Sequence, residues 1–285
     1  MISSSTRVLQ VNLNRSAQAT ESALQIAVEL KIDLVVVQEP WILHDSQPPN
    51  SQPDDYSNAQ SILHPSFVQI LPKSTTIRPR TLVYVSRSFG PLVSISTSSP
   101  HDPDLLAIDI IEGNAKIHLL NIYNQLDQQL HTPTRLHTLD RLLYNYSIPP
   151  NTILLGDFNT HHPWWDPLAN PTQGADQLVE WLDDHELELV NTPGEGTFFR
   201  PNLARPSVLD LAFTTSTLTS RIKEWQILPN LGSDHFGILF TIMGTKIELV
   251  SNLTQLAYFN TDKASWDLFA SSLRSNIANS RVVNS

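Results

Sequence analysis

The sequence contains no cysteine, no long apolar run and few basic side chains. Without cysteine, disulfides, thiol nucleophiles and thiolate-ligated zinc sites are excluded. The longest aliphatic run, residues 34–37, is far shorter than the ~20 residues of a membrane-spanning helix. The N-terminal residues also do not have the pattern of a signal peptide. We therefore expect a soluble intracellular protein.

Acidic side chains outnumber basic ones, with 28 Asp and Glu against 18 Lys and Arg and a net charge of −10. This balance argues against non-specific binding of nucleic acid over the whole surface. It leaves open a local basic groove, or a carboxylate site that needs a cation. The 285 residues, 40% of them hydrophobic, suffice for one large domain or two small ones.

Short apolar runs rich in Val, Ile and Leu recur through the first 245 residues, each bounded by Pro, Gly, Asn or Asp. They predict strands at residues 8–11, 34–37, 67–71, 81–86, 105–111, 117–122, 152–155, 208–213 and 238–243. Apolar residues at helical spacing predict helices at residues 20–30, 133–146 and 173–186. Because several strands follow one another without a helix between them, we expect two packed, partly antiparallel sheets with outer helices.

The sequence pattern changes near residue 246. We predict one α/β domain over residues 1–245 and a C-terminal extension over residues 246–285. In the extension, Thr261 is placed to cap a helix that carries Trp266, Phe269 and Leu273. Within the domain, residues 45–56 are rich in Pro, Ser and Gln and predict a loop.

Polar side chains stand at or just beyond the ends of several predicted strands, where loops often carry functional sites. They are Asn12, Glu39, Tyr123, Asp157, Asn159, Asp210 and the triplet Ser233-Asp234-His235. Acids, amides, a phenol and a histidine beside an acid suit metal-assisted attack of water on a phosphate ester. Mg²⁺ binds through one or two carboxylates with waters and phosphate, and a histidine or carboxylate can take the proton of the water.

Each of these elements also has a purely structural explanation. Glu39 before Pro40 could be a solvated strand end, and residues 156–159 could form a turn. In extended backbone, however, the side chains of Asp157 and Asn159 would project to the same side. Asp210 lies in an apolar strand, so we expect it to be buried and to need a partner, for which His235 is the candidate.

Two adjacent histidines, His161 and His162, could suggest a metal site. Adjacent side chains diverge, however, and no thiolate is available to complete a zinc shell. We therefore favour a loop pinned by Trp164 and Trp165. The alternative is an exposed aromatic side chain that contacts nucleobases.

Six blocks in chain order resemble the endonuclease/exonuclease/phosphatase superfamily. They are Asn12-Leu13-Asn14, Gln38-Glu39-Pro40, Asn121-Ile122-Tyr123, Gly156-Asp157-Phe158-Asn159, Ser207-Val208-Leu209-Asp210 and Ser233-Asp234-His235. The resemblance implies a DNase-like α/β fold, a four-layer α/β/β/α sandwich of two packed mixed sheets with outer helices. Trp41, Trp164-Trp165 and residues 196–199 further resemble the endonuclease domain of non-LTR (LINE-type) retrotransposons.

The resemblance implies a Mg²⁺-dependent DNA endonuclease, with Mn²⁺ as the alternative ion. Such an enzyme nicks target DNA and leaves a 3′-hydroxyl that primes reverse transcription. Glu39, with Asn12 nearby, would hold the metal, and Asp234 would support the metal or the histidine. Asp157 would orient or deprotonate the attacking water, while Asn159 would steady the water or the phosphate.

The remaining site residues would contact the phosphate. His235, oriented by Asp210, would touch the scissile phosphate and take part in proton transfer or charge stabilisation. Tyr123, Thr197 and Ser233 would place or bind phosphate oxygens. Whether Asp157 or His235 is the base stays open.

The resemblance also implies a nuclear or cytoplasmic location and a set of partners. DNA is the expected substrate, a membrane is not expected, and a reverse transcriptase domain of the same polyprotein is expected in the full-length element. The final segment, with Asp262, Trp266 and Phe269, resembles the connector to that domain. Because no reverse transcriptase follows it in this sequence, we expect the chain to be a fragment, a truncated copy or an excised piece of such an element. For DNA binding, several arginines would have to gather along a groove, namely Arg78, Arg80, Arg135, Arg200 and Arg205.

Two alternative functions remain at this point. One is another phosphoesterase of the same fold, acting on abasic DNA, RNA, a phospholipid or an inositol phosphate, because a fold does not fix its substrate. The other is a catalytically inert DNA-binding derivative of such an enzyme.

Overall fold

The structure is a computed structural model that describes residues 5–43, 56, 58–73, 77–112, 115–125, 137–244, 265–268 and 270–272. The chain divides into two units, Met1–Thr245 and Lys246–Ser285. In the described part of the second unit, residues 266–268 and 270–272 are helical, and the Ser271 hydroxyl donates to the Leu268 carbonyl at 2.9 Å. The predicted cap and two apolar positions of this helix (Thr261, Phe269 and Leu273) lie outside the described residues, as does most of the predicted loop at 45–56.

The first unit is built from strands and short helices. The strands are β1 Ser5–Asn12, β2 Leu34–Gln38, β3 Phe67–Ile70, β4 Thr81–Ser86, β5 Leu92–Ile95, β6 Leu105–Glu112, β7 Ala115–Tyr123, β8 Thr152–Asp157, β9 Leu187–Leu189, β10 Asp210–Thr215, β11 Ile222–Leu228 and β12 Gly237–Met243. The helices are α1 Ala17–Glu29, α2 Thr138–Asn145, α3 Ala175–Asp184 and α4 Ser216–Thr219. In the described part of the chain, every helix is too short or too polar to cross a bilayer.

These strands form two mixed sheets of six strands each. The first sheet has the order β11-β12-β1-β2-β4-β3, and the second has the order β5-β6-β7-β8-β10-β9. The pairs β1–β2 and β7–β8 are parallel. The other pairs are antiparallel.

The alternation of side chains along β2 explains why two layers can pack on the first sheet. All five residues of β2 are buried. Leu34 and Val36 pack against the second sheet, whereas Val35 and Val37 pack on the side of α1. A strand covered on both faces therefore reads as a continuous apolar run.

The helices cover the outer faces of both sheets. Helix α1 follows Ser16, whose hydroxyl accepts a hydrogen bond from the backbone N–H of Ala19 at 3.1 Å and caps the helix. Its buried stripe packs on the first sheet, while Leu142 of α2 and Leu178 of α3 pack on the second. The layers are therefore helix, sheet, sheet and helix, and the predicted fold is confirmed.

Buried amides join the two sheets across their interface. The Gln38 side chain donates to Asn121 Oδ1 at 2.7 Å. Asn121 in turn donates through Nδ2 to the carbonyls of Val37 at 3.0 Å and Leu82 at 3.1 Å. Because these groups are fully buried, their hydrogen bonds fix how the sheets align.

All nine predicted strands are present, with small shifts at their ends. The prediction missed β5, β9 and β11. These strands are short, or they alternate polar with partly buried positions at the sheet edge, so they lack an apolar run. Of the predicted helix at 133–146, residues 138–145 form α2, whereas residues 133–136 lie outside the described residues.

Candidate active site

Strand register brings the predicted acids and amides to one edge of the sandwich. Asn12 is the last residue of β1 and pairs with Gln38, the last residue of β2. Glu39 follows Gln38 directly. Tyr123 and Asp157 end β7 and β8 and are directly paired in the parallel register. Because β10 runs antiparallel to β8, its first residue, Asp210, lies opposite Asp157. Residues far apart in sequence thus meet at the same edge.

The turn after β8 shapes the Asp157 site. Gly156 has φ 153°, and a Cβ there would lie 1.9 Å from the carbonyl oxygen of Ile122, so only glycine lets β7 and β8 approach this closely. Asn159 has φ 47°, which corrects the expectation that residues 157–159 are extended. The two side chains meet through this turn, because the Asn159 N–H donates to Asp157 Oδ1 and its Nδ2 donates to Oδ2, both at 3.0 Å.

Left-handed backbone conformations concentrate at this edge. Of the nine described non-glycine residues with positive φ, four are Asn14, Arg15, Glu39 and Asn159. Such conformations are strained for residues other than glycine and persist only where the surrounding structure holds them. They cluster at functional sites. The backbone geometry therefore singles out the same residues as the side-chain chemistry.

The Asp157 carboxylate is buried and held by amides. It is 1% exposed and accepts from Asn12 Nδ2 at 2.9 Å, in addition to the bonds from Asn159. Burial raises the pKa of Asp157 to about 7, and the charge of Asp210 adds to this rise, while His235 opposes it. The carboxyl group is therefore able to exchange a proton near neutral pH.

His235 forms a buried pair with Asp210. Its Nδ1 lies 2.8 Å from Asp210 Oδ2, and the other carboxylate oxygen accepts from Gln10 at 3.4 Å. Burial opposes protonation of the ring, but the carboxylates of Asp210, Asp157 and Asp234 together raise the pKa of His235 to about 9. The predicted burial of Asp210 and its need for a partner are confirmed, and the paired ring is an imidazolium at neutral pH.

The hydroxyls of Thr197 and Ser233 bind the backbone next to Asp210 and His235. Thr197 is fully buried, and its Oγ1 accepts from the backbone N–H groups of Leu209 at 3.0 Å and Asp210 at 2.9 Å. The Ser233 hydroxyl donates to the Asn12 carbonyl at 2.7 Å and accepts from the His235 N–H at 3.2 Å. In this structure both hydroxyls position neighbouring backbone, and the predicted contacts with phosphate stay predictions.

Glu39 is surrounded by a cation and a phenol. Its side chain is 11% exposed and forms an ion pair with Arg15 at 2.5 Å. The Tyr123 hydroxyl also bonds to Glu39. Burial and the negative charges of Glu39 and Asp157 raise the pKa of Tyr123, so its phenol stays neutral. Arg15 and Tyr123 therefore hold the Glu39 carboxylate in place.

The donor set at Glu39 and Asn12 fits a hard divalent cation. Both residues offer oxygen ligands at neighbouring strand ends, and Mg²⁺ needs only one or two carboxylates because it retains waters and binds phosphate. Across the described ranges, no group of three or more His, Asp or Glu is arranged as a metal cage. The Asp234 carboxylate accepts from Arg200 at 2.7 Å and from Asn14 at 3.4 Å, so its predicted role in metal binding remains untested.

A buried ion-pair network supports the Glu39 and Tyr123 positions. Arg80 pairs with Asp104, and Arg141 Nη2 lies 2.6 Å from the same carboxylate. The Glu39 N–H donates to the Arg80 carbonyl and the Tyr123 N–H donates to the Asp104 carbonyl, both at 2.9 Å. This network therefore fixes the backbone of two predicted site residues.

The expected groove of arginines is wrong for Arg80, which is only 4% exposed. Its burial with Asp104 makes it part of the scaffold. Arg200 is exposed beside Asp234, and Arg205 pairs with Asp166 at 2.9 Å. Arg78 is half-buried, and Arg135 lies outside the described residues.

The loop after the Asp157 turn is pinned by its tryptophans, as predicted. Trp165 is fully buried, and its indole donates to the Thr160 carbonyl at 3.2 Å. Trp164 packs against the core beneath the second sheet. The alternative of an exposed base-stacking aromatic is therefore wrong for Trp165.

Sequence reasoning missed several residues that contact the site. Gln10 contacts Asp210, Asn124 contacts the residue after Asp157, and the ring of Phe198 lies 4.7 Å from that of His235. Gln10 carries a recognisable signal, since it is a polar residue inside an otherwise apolar run. Phe198 and Asn124 adjoin the motif residues Thr197 and Tyr123 but have no distinctive spacing of their own.

Residues 117–239 match a family described as endonuclease-reverse transcriptase. The resemblance predicted from the sequence is confirmed. A comparison with curated proteins finds no match. The match to this endonuclease-reverse transcriptase family includes the β7, β8, β10 and His235 segments of the site.

Solved structures of similar fold include several nucleases. The endonuclease domain of TRAS1, a telomere-specific non-LTR retrotransposon, is 20% identical, with a TM-score of 0.63 over 84% of this chain and 98% of that one. An AP endonuclease from Leishmania major is 13% identical, with a TM-score of 0.60 over 84% and 88%. An AP endonuclease from Archaeoglobus fulgidus is 16% identical, with a TM-score of 0.52 over 83% and 99%. These likenesses show the shared fold.

Proposed function

We propose that the unit Met1–Thr245 is a divalent-metal-dependent DNA endonuclease that nicks one strand and leaves a 3′-hydroxyl. The observation that carries this proposal is a cluster of hydrogen-bonded side chains at one edge of the sandwich. In it the Asn12 amide donates to Asp157, and Asp210 is bonded to His235. A cluster of buried acids with two shifted pKa values suits proton transfer and charge stabilisation better than a purely structural role.

In this proposal Asp157 is the general base. Burial brings the pKa of Asp157 to about 7, so the carboxylate is present at neutral pH and accepts a proton more readily than an ordinary aspartate. The oxygen of water attacks phosphorus as its proton passes to Asp157, the P–O3′ bond breaks, and O3′ leaves and takes a proton from solvent water. The bonds from Asn12 and Asn159 hold the carboxylate in place for this step.

His235 acts as a fixed positive charge. Because its Nδ1 is bound to Asp210 and its pKa is about 9, the ring is protonated at neutral pH and is poorly suited to be the base. The remaining ring nitrogen donates to a non-bridging phosphate oxygen, where negative charge grows in the transition state. In this proposal the base is therefore Asp157 and not His235.

Glu39 and Asn12 would hold Mg²⁺, which would supply positive charge to the phosphate oxygens and the leaving O3′. Arg15 now pairs with Glu39 and would have to turn away for the carboxylate to bind the ion. With its side chain 45% exposed, Arg15 has room to do so and then to pair with phosphate. Tyr123 would keep Glu39 oriented throughout.

The experiment is nicking of supercoiled plasmid in Mg²⁺ by the wild type, Asp157→Asn, His235→Gln and the control Asp184→Asn. Asp184 is an exposed acid at the end of α3, so its variant matches the charge change outside the site. We expect at least a hundredfold loss in the two site variants, as for removal of an acid–base group, and none in the control. Full activity in both site variants would refute the assignment.

The same preparations separate the alternative functions. Nicked plasmid is extended by a DNA polymerase only if the nick carries a 3′-hydroxyl. An abasic duplex and inositol phosphates are offered in parallel. Faster cleavage of either one than of plasmid would favour another phosphoesterase, and DNA binding without turnover in Mg²⁺ or Mn²⁺ would favour the inert derivative. The reverse transcriptase partner and a connector role for residues 246–285 are part of the same proposal, supported by the family match.

A further inference from the structure

Helix α2 places an arginine against the short segment that precedes β6, residues 102–104. The Arg141 guanidinium binds both carboxylate oxygens of Asp102, with Nε 2.6 Å from Oδ2 and Nη2 3.0 Å from Oδ1. The same Nη2 lies 2.6 Å from Oδ2 of Asp104. The Arg141 side chain is 13% exposed, and that of Asp104 is fully buried. Arg141 therefore fixes two acids of one segment in place.

The backbone of the same segment holds two residues of the candidate site. The Asp104 carbonyl accepts from the Tyr123 N–H at 2.9 Å. The Pro103 carbonyl accepts from the Arg80 N–H at 2.8 Å, and the Arg80 carbonyl accepts in turn from the Glu39 N–H at 2.9 Å. The side chains of Tyr123 and Glu39 are bonded to each other. The position of the segment therefore decides where this phenol and this carboxylate lie.

The simplest explanation would be that Arg141 only fastens α2 to the second sheet. Apolar packing already does this, because Leu139 and Leu142 of α2 are buried against that sheet. A buried ion pair adds little net stability, since both partners lose their hydration. What the Arg141 contacts do provide is a defined geometry, and they provide it to the segment that holds the site.

We propose that Arg141 is a positioning residue that sets Glu39 and Tyr123 for binding of the divalent cation. The inference rests on the proposed function, because it takes Glu39 as a ligand of the metal. Without Arg141, the carboxylates of Asp102 and Asp104 lose their connection to α2, and the carbonyl that accepts from the Tyr123 N–H is no longer fixed. Groups that orient a metal ligand are typically worth roughly 10–100-fold in metal affinity. We expect the lower end of this range, because Arg141 acts through the backbone.

The test compares Arg141→Met with the control Arg7→Met. Arg7 also connects a helix to a strand, because its Nη1 donates to the Leu30 carbonyl at the end of α1, and it lies beside Asp33. It precedes Asn12 by five residues on β1, which places it about 16 Å from that end of the strand. The control therefore loses a similar contact far from the candidate site.

Two measurements on each variant report the positioning. Mn²⁺ affinity is obtained from the EPR signal of the free ion, and hydrogen exchange at the N–H groups of Glu39 and Tyr123 is followed by NMR without metal. In Arg141→Met we expect about tenfold weaker Mn²⁺ binding and faster exchange at these two amides. In Arg7→Met both should match the wild type. A loss of stability alone would speed exchange throughout the core and leave the Mn²⁺ affinity of the folded protein unchanged.

The sign of the effect separates position from charge. Removing the guanidinium leaves an uncompensated negative charge, which by itself would attract a cation, so weaker Mn²⁺ binding in Arg141→Met has to come from displaced ligands. Arg141→Lys keeps the charge but not the planar fork that holds both carboxylates. Its Mn²⁺ affinity should lie between those of the wild type and the methionine variant. Wild-type affinity in Arg141→Lys would assign the effect to charge and overturn the positioning role, even if the methionine variant does not fold.

The outcomes separate this inference from the catalytic proposal, because neither measurement uses DNA. Weaker Mn²⁺ binding and faster exchange at Glu39 and Tyr123 in Arg141→Met, but not in Arg7→Met, support the inference even if the wild type does not nick plasmid, a result that would refute the endonuclease. Unchanged Mn²⁺ affinity or unchanged exchange in Arg141→Met overturns the inference even if the wild type nicks plasmid. Equal effects in both variants overturn it as well, since the site would then respond to any lost helix contact.

Discussion

Replacing Thr197 with valine tests how the Asp210–His235 pair is held. The Thr197 hydroxyl is the acceptor for two buried backbone N–H groups, those of Leu209 and Asp210. Valine keeps the shape but leaves both donors unpaired, and each such donor costs about 1–3 kcal/mol. Allowing for partial relaxation, we expect unfolding free energy to fall by roughly 2–4 kcal/mol, which corresponds to roughly 4–16 °C in melting temperature. The nicking rate per folded molecule should also fall, because Asp210 loses its anchor.

Urea unfolding followed by tryptophan fluorescence measures the free energy, and plasmid nicking below the melting temperature measures the rate. Thr197→Ser is the matched control, since it keeps the acceptor oxygen and removes only a methyl group. Serine should retain most of the stability and the activity. A valine variant within about 0.5 kcal/mol of the wild type, the usual range of a neutral substitution, would refute the anchoring role. Equal losses in both variants would instead assign the effect to packing of the methyl group.

Three further predictions concern charge and backbone. In Asp210→Asn, the pKa of His235 should fall well below about 9, because its main carboxylate partner is neutralised while burial remains. The wild type should lose stability as pH rises from 6.5 to about 9, because protonation of His235 favours the folded state in that range. The Asp210→Asn variant should not show this loss. Histidine NMR titration measures the pKa of His235, and urea unfolding across pH measures the stability. Gly156→Ala should lose about 3 kcal/mol in urea unfolding, because its Cβ would overlap a carbonyl oxygen, and a loss below about 1 kcal/mol would contradict this. Arg80→Met should lose about 3 kcal/mol by leaving a buried ion pair broken, whereas the exposed Arg200→Met should lose under about 1 kcal/mol; similar losses in both would contradict the buried network.

Much of the fold could be predicted because its central strands are covered on both faces. A run such as residues 34–37 has to be apolar at every position, and that leaves a clear trace in the sequence. Strand β11 lies at the edge of its sheet, has only partly buried and exposed positions and contains a register shift near residues 223–226, so its pattern is weak. The strand β9 has only three residues and depends on pairing with β10.

The candidate site was predictable where position along a strand decides it. Asp210 could be paired with His235 because an acid inside an apolar strand needs a partner, and the family resemblance supplied the order of the motifs. The position of Arg80 could not be predicted, since an arginine directly after a proline looks exposed until Asp104 is found beside it. The same holds for the Arg15–Glu39 pair, which depends on a distance across the fold.

The bonds between the two sheets have a consequence for how the proposed catalytic centre would be lost. Asn12 and Gln10 belong to one sheet, while their partners Asp157 and Asp210 belong to the other. The centre is thus not carried by either sheet alone and exists only while the sheets are docked. Any fluctuation that parts them by a few ångströms dismantles the reacting groups before a strand has frayed, so the residual activity of a partly denatured sample would report sheet docking directly.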